Sequence, residues 1–212
     1  MSFSVTPLTI ALLVLAVIMV AAPQFIRGTT SPRIQSMFAQ HKFKELLAYL
    51  DTPLVRIGYP KWNRTFMKLN AYLIEGDTAN ASLMFSELLS VHSSREQRKE
   101  LILKAFDFYI GLERYEEAGA LLPEITEIVD EVTAKDRQAT YDVLAKGSCD
   151  HIDEMEQDME IASPMHKAHL AFLLKTQYEN LGNAEKAAEY EMLAKDVLTQ
   201  VVTSAKSNGE NV

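Results

Sequence analysis

Five short stretches of this chain begin an apolar helical face just after a turn signal. They are HKFKELLAYL at Leu46, EGDTANASLMF at Ala81, LERYEEAGALL at Ala118, KGSCDHIDEM at Ile152 and LGNAEKAAEY at Ala187. These reference residues stand 35, 37, 34 and 35 positions apart. No other feature constrains the fold as tightly. A period of this length is one helix-turn-helix unit, which cannot bury its apolar face alone and must stack on a neighbour. A second helical stretch precedes the reference residue in several units, as in TFMKLNAYLI, ELILKAFDFYIG and HLAFLLKTQYEN, with turns at Gly76-Asp77, Glu113-Arg114 and Gly182-Asn183. The expected fold is all-α. Ser93-x-x-Glu96 fits a capping box, Ser31-Pro32 and Ser163-Pro164 fit an N-cap followed by proline in the first turn, and Gly182 fits a left-handed helix end.

Ahead of the repeats lies LTIALLVLAVIMVAA, Leu8 to Ala22, inside an uncharged stretch from Val5 to Ile26. About 20 helical residues cross the hydrocarbon core of a bilayer, so the stretch is long enough to span. Pro7 suits a first helical turn, and Pro23 is expected to kink or end the helix near the interface. A cleaved signal peptide fits less well, because MSFSVTP has no basic residue and a cut after Ala22 would leave Pro23 just beyond it. A buried core helix would need a polar face, which the run lacks. Arg27, Arg33, Lys42 and Lys44 follow the run, so the C-terminal domain is expected on the cytoplasmic side. The lone Cys149 agrees with that side, while Asn63-Arg-Thr65 and Asn80-Ala-Ser82 would matter as glycosylation acceptors only if the domain were translocated.

Net charge is −8 overall but unevenly placed, +5 over residues 1–64 and −13 over the remainder. An acidic chain lacks the basic footprint that phosphate backbones require, which argues against nucleic acid as a ligand. The chain also has no glycine-rich phosphate loop, no nucleophile elbow and no CxxC pair, so no enzyme class and no small-molecule substrate is indicated. Cys149, Asp150, His151, Asp153, His166 and His169 are the one set that could ligate a metal, but their spacing matches no metal motif, and acids alternating with apolar residues describe a solvated helix face. No cofactor is expected.

Tyr72 with Ala81, Tyr109 with Ala118 and Tyr178 with Ala187 each stand nine residues apart. In this the chain resembles the tetratricopeptide repeat family, whose units of about 34 residues place a tyrosine on the first helix and an alanine on the second. The first and fourth units depart from that pattern, with Leu46 and Ile152 in place of the alanine and Met37 and Val143 in place of the tyrosine. The resemblance implies a solenoid of about five helical hairpins over residues 33–200; residues 1–26 are expected to form an anchor, 27–32 a linker and 201–212 a flexible tail. Pro123 falls inside a second helix and is expected to bend it.

In proteins of this kind the first helix of each unit lines a concave groove. Carrying those positions over implies a partner-binding set of Asn63, Phe66, Asn70, Glu100, Leu103, Asp107, Arg137, Tyr141, His169, Phe172 and Thr176. The family's clamp for C-terminal carboxylates is matched only at Asn70. A partner with an apolar or amphipathic segment is the better expectation. The alternatives are a subunit embedded in a larger membrane complex and an enzyme built on the Cys149 to His169 region.

Overall fold

The computed structural model describes the backbone of residues 7–209, with the side chains of residue 19 and residues 21–203. Among the described residues the chain is all-α, with no strand. It divides into two compact units, Met1–Leu101 and Ile102–Val212. The first holds α1 (Pro7–Ala39), α2 (Phe43–Leu50), α3 (Pro53–Gly58), α4 (Lys61–Glu75) and α5 (Thr78–Ser90); α6 (Arg95–Gly111) carries the division. The second holds α7 (Tyr115–Ile128), α8 (Glu131–Lys146), α9 (Ile152–Ile161), α10 (Pro164–Asn180) and α11 (Ala184–Gly209).

The period of the sequence is written into the backbone turns. Among the described residues, positive φ occurs at His41, Gly76, Glu113, Gly147 and Gly182, each five positions before a reference residue. At four of them the following N–H reaches back five residues at 2.9 Å: Lys42 to the Met37 carbonyl, Asp77 to Tyr72, Arg114 to Tyr109 and Asn183 to Tyr178. The positive-φ residue itself donates to the carbonyl three residues back, at 3.1, 3.3, 3.0 and 2.9 Å in turn. This pair of bonds is the Schellman closure, which satisfies helix-end carbonyls by placing one left-handed residue after the last turn. The nine-residue tyrosine-to-alanine spacing follows: four residues from the accepting carbonyl to the left-handed position, then five to the buried small residue of the next helix. Ala81 and Ala118 are fully buried and Ala187 is 5 % exposed.

The fourth turn is built differently. After Gly147 it is Ser148 that reaches back, to the Asp142 carbonyl, and α9 begins only at Ile152. The connection is held by Gln177 of α10, which is completely buried. Its Oε1 accepts from the His151 N–H at 3.0 Å, its Nε2 lies 3.3 Å from Met155 Sδ, and its backbone carbonyl is 3.4 Å from Cys149 Sγ. A buried amide is stable only when its donors and acceptors find partners, and the longer loop supplies them.

Helix ends differ from the sequence expectations in several places. Helix α1 runs through Pro23, through the expected linker 27–32 and through Pro32, so Ser31-Pro32 is not a helix start. Each proline frees the carbonyl four residues earlier, that of Met19 and that of Gly28, and exposed Gly28 leaves its carbonyl open to water. The C-terminal half of α1 is held by Ile34 and Met37, which join Phe43, Leu46, Leu50, Val55, Tyr59 and Ala71 in the core of the first unit. Helix α7 likewise continues through Pro123, whose missing N–H frees the carbonyl of half-exposed Gly119. The capping box at α6 sits one residue later than expected: Ser94 Oγ accepts from the Gln97 N–H, and Gln97 Oε1 accepts from the Ser94 N–H. Helix α11 extends to Gly209, across most of the expected tail. Among the described residues no helix is long and apolar enough to cross a membrane. The Leu8–Ala22 run, on which the anchor rests, lies within the backbone of α1, but its side chains fall almost entirely outside the described residues.

Candidate partner-binding cleft

Within the second unit, α6, α8 and α10 border an open cleft of about 510 Å³. Helix α8 is set by Asp130, whose carboxylate caps the Thr133 N–H at 2.9 Å, and it ends at left-handed Gly147. Helix α10 starts at Ser163 with Pro164 in its first turn, as its sequence indicates. These two starts fix which faces meet. From α8 the cleft receives Asp136, Arg137, Thr140 and Leu144; from α10, Met165, His166, His169 and Phe172; from α6, Asp107 and Ile110.

A charged network crosses it. Arg137 Nε lies 3.1 Å from Asp107 Oδ1, Nη2 donates to Asp107 Oδ2 at 3.3 Å, and Nη1 pairs with Asp136 Oδ2. The guanidinium also stands 6.0 Å from the ring centre of buried Phe106, at the outer limit of a cation–π contact. Thr140 Oγ1 donates to the Asp136 carbonyl at 2.8 Å, so its lone pairs remain for His169 Nε2 at 3.2 Å. That arrangement makes Nε2 the protonated nitrogen of the neutral ring. Burial pushes the His169 pKa down, against the pull of Asp136 3.8 Å away, with Arg137 and His166 pushing the same way as burial. Burial raises the Asp107 carboxyl, Arg137 opposes it, and the side chain remains 58 % open to solvent, which limits the shift. Two carboxylates share one guanidinium, so the network orders the cleft wall and leaves it with a net negative charge, while Met165 at 58 % and Phe172 at 45 % exposure present apolar surface beside it.

Of the expected groove residues, the structure brings Asp107, Arg137, His169 and Phe172 together. Asn63, Phe66 and Asn70 lie half-buried on α4 in the first unit, where Phe66 stacks on Trp62 at 4.8 Å, and exposed Glu100 also belongs to that unit. Leu103 is half-buried on α6. Thr176 donates back to the Phe172 carbonyl at 3.0 Å. Tyr141 turns toward α7: a Cβ added to Gly119 would come within 2.6 Å of its hydroxyl. Ile110, Asp136, Thr140, Leu144, Met165 and His166 were not expected as groove residues, although His166 was among the candidate metal ligands. On α8 and α10 the signal was present as one helical face, 137-140-144 on α8 and 165-169-172 on α10, spacings that bring side chains into register. Among the described residues no group of three or more His, Cys, Asp or Glu side chains is placed to hold a metal ion.

No protein-family model, curated protein or solved structure matches the chain.

Proposed function

We propose that the protein is a membrane-anchored, tetratricopeptide-like adaptor that binds a protein partner through its helical groove at the cytoplasmic face. The observation that carries this reading is the cleft between α6, α8 and α10, where exposed Phe172 and Met165 stand beside an ordered Asp107–Arg137–Asp136 wall. Exposed aromatic and thioether side chains flanked by fixed polar groups are what a hot spot with a polar rim requires. The recurrent left-handed turns and buried alanines support the repeat reading, and the uncharged run Val5–Ile26 followed by basic residues supports the anchor and its orientation.

The test is affinity capture of the full chain from detergent-solubilised membranes, beside Phe172→Ala and Met165→Ala. A captured protein that is retained by the wild type and lost by both variants, with helicity unchanged, is the expected result. Equal capture by all three removes the cleft from the function. The second reading, a subunit embedded in a larger complex, is favoured by the exposed apolar side chains of α11, Met192, Leu198 and Val202. It predicts a stable high-mass assembly in mild detergent that Met192→Ser with Leu198→Ser breaks and Phe172→Ala does not.

A further inference from the structure

A second cleft of about 580 Å³ opens between α8, α9 and α10. Its floor is apolar, with Ala139, Met155 and Leu170, the last two at 5 % and 3 % exposure. Its rim is acidic. Asp136 contributes from α8, and Glu154 and Asp158 from α9, where their four-residue separation puts both on one face about 6 Å apart.

Like Asp153 and Glu160 on the same helix, Glu154 and Asp158, both exposed, have no lysine or arginine within ion-pair distance among the described residues. By contrast, Asp142 holds Lys146, Glu156 holds Lys186, Glu179 holds Lys175 and Glu191 holds Lys195. The one lysine on this rim, Lys135, is engaged 3.1 Å from Glu131 on its own helix, and the Glu154 charge adds a weaker pull on it. His151 and His166 complete the polar lining, and His151 faces Asp142 at 3.6 Å. Around this cleft, residues 102–212 carry 22 acidic against 10 basic side chains, while residues 1–101 carry 7 against 11.

We infer that the α8–α9–α10 cleft is a docking site for a basic amphipathic protein segment. An apolar side chain of the segment rests against exposed Val132 and half-buried Ala139, above the Met155 and Leu170 floor, and two Lys or Arg residues one helical turn apart meet Glu154 and Asp158. Long basic side chains suit this geometry because their methylene stems cover apolar surface while the charged heads reach the rim. The field of the acidic unit speeds the encounter and selects against acidic partners. The inference rests on reading the protein as a partner-binding module, and it gives that partner its chemistry.

The probe is a fluorescent helical peptide with a leucine stripe and lysines at i and i+4, measured by anisotropy against the full chain in nonionic detergent. A matched peptide with glutamate at the lysine positions is the control. The lysine peptide is expected to bind, and Glu154→Gln with Asp158→Asn to weaken it about tenfold, the loss of two exposed charge pairs. Glu185→Gln with Glu189→Gln, which removes the same charge from exposed sites on α11, should leave binding within about twofold. Glu154→Lys with Asp158→Lys should instead bind the glutamate peptide. The inference is overturned if the lysine peptide does not bind, if the α11 pair weakens binding as much as the α9 pair, or if the glutamate peptide binds the wild type equally well. The two proposals also fail separately. Capture that depends on Phe172 with peptide binding indifferent to Glu154 and Asp158 sinks this inference alone; the converse sinks the α6–α8–α10 reading alone.

Discussion

Glu113 and Gly182 occupy the same backbone position in two turns of one unit, and exchanging their residue types should move stability in opposite directions. Both have positive φ, +57° at Glu113 and +73° at Gly182, and both close a helix with the same pair of hydrogen bonds. An L-residue in the left-handed region costs roughly 1–2 kcal/mol, from the approach of Cβ to the following carbonyl. Replacing glycine by alanine returns about 0.4–1 kcal/mol by narrowing the unfolded ensemble. A Cβ built on Gly182 meets nothing within 4 Å, so no packing change enters the balance. Gly182→Ala should therefore lose about 0.5–1 kcal/mol, and Glu113→Gly should gain a similar amount, since exposed Glu113 gives up no ion pair among the described residues. In melting temperature that is roughly 2–5 °C down and up. The assay is thermal unfolding of the full chain followed by far-UV circular dichroism, with the double variant returning close to wild type. A Glu113→Gly protein that melts lower, or a Gly182→Ala protein that melts unchanged, would refute the claim that the left-handed turn is the conserved element of the period within this chain.

Ala81→Leu, Ala118→Leu and Ala187→Leu should each lose about 1–3 kcal/mol by overpacking a buried contact, read as lower urea midpoints, whereas exposed Ala188→Leu should be neutral. Glu156 accepts from both Tyr178 at 2.7 Å and Tyr190 at 2.8 Å, and these bonds, with Lys186 nearby, lower its pKa from 4.5. Its folded pKa is depressed, so its contribution is present above pH 4.5 and is lost as pH falls through the folded value; the stability gap between wild type and Glu156→Gln should be open at pH 7 and close under acid. His169 has a folded pKa below 6.5, so the unfolded chain takes up its proton first and stability declines as pH falls below 6.5; Asp136→Asn, which removes the charge that holds this pKa up, should lower the ring's titration midpoint further in NMR.

The all-α fold and most of its turns were legible because they are local events. A left-handed turn leaves glycine or a turn residue at a fixed place, a close helix approach leaves an alanine five residues on, and both can be read along the chain. Tyr72, Tyr109 and Tyr178 were visible as family-like residues, but the structure shows why their spacing is nine, since each supplies the carbonyl that closes the turn. Charge was equally legible: the acid surplus of residues 102–212 is a property of composition and needed no coordinates. Which helical face points into a cleft was not. On α8 a shift of one residue separates Thr140, which lines the cleft, from Tyr141, which packs toward Gly119, and only contacts with α6, α7 and α10 decide between them. The same holds for the helix that runs through Pro23 and Pro32, because a lost N–H and ring crowding can bend a helix without ending it, and the tertiary setting decides whether it continues. Gln177 is the clearest case. Nothing in its sequence neighbourhood marks a buried amide; its place follows from the irregular loop 26 to 30 residues earlier, whose orphan N–H it satisfies, and such long-range matching of donors to acceptors exists only once the chain has folded.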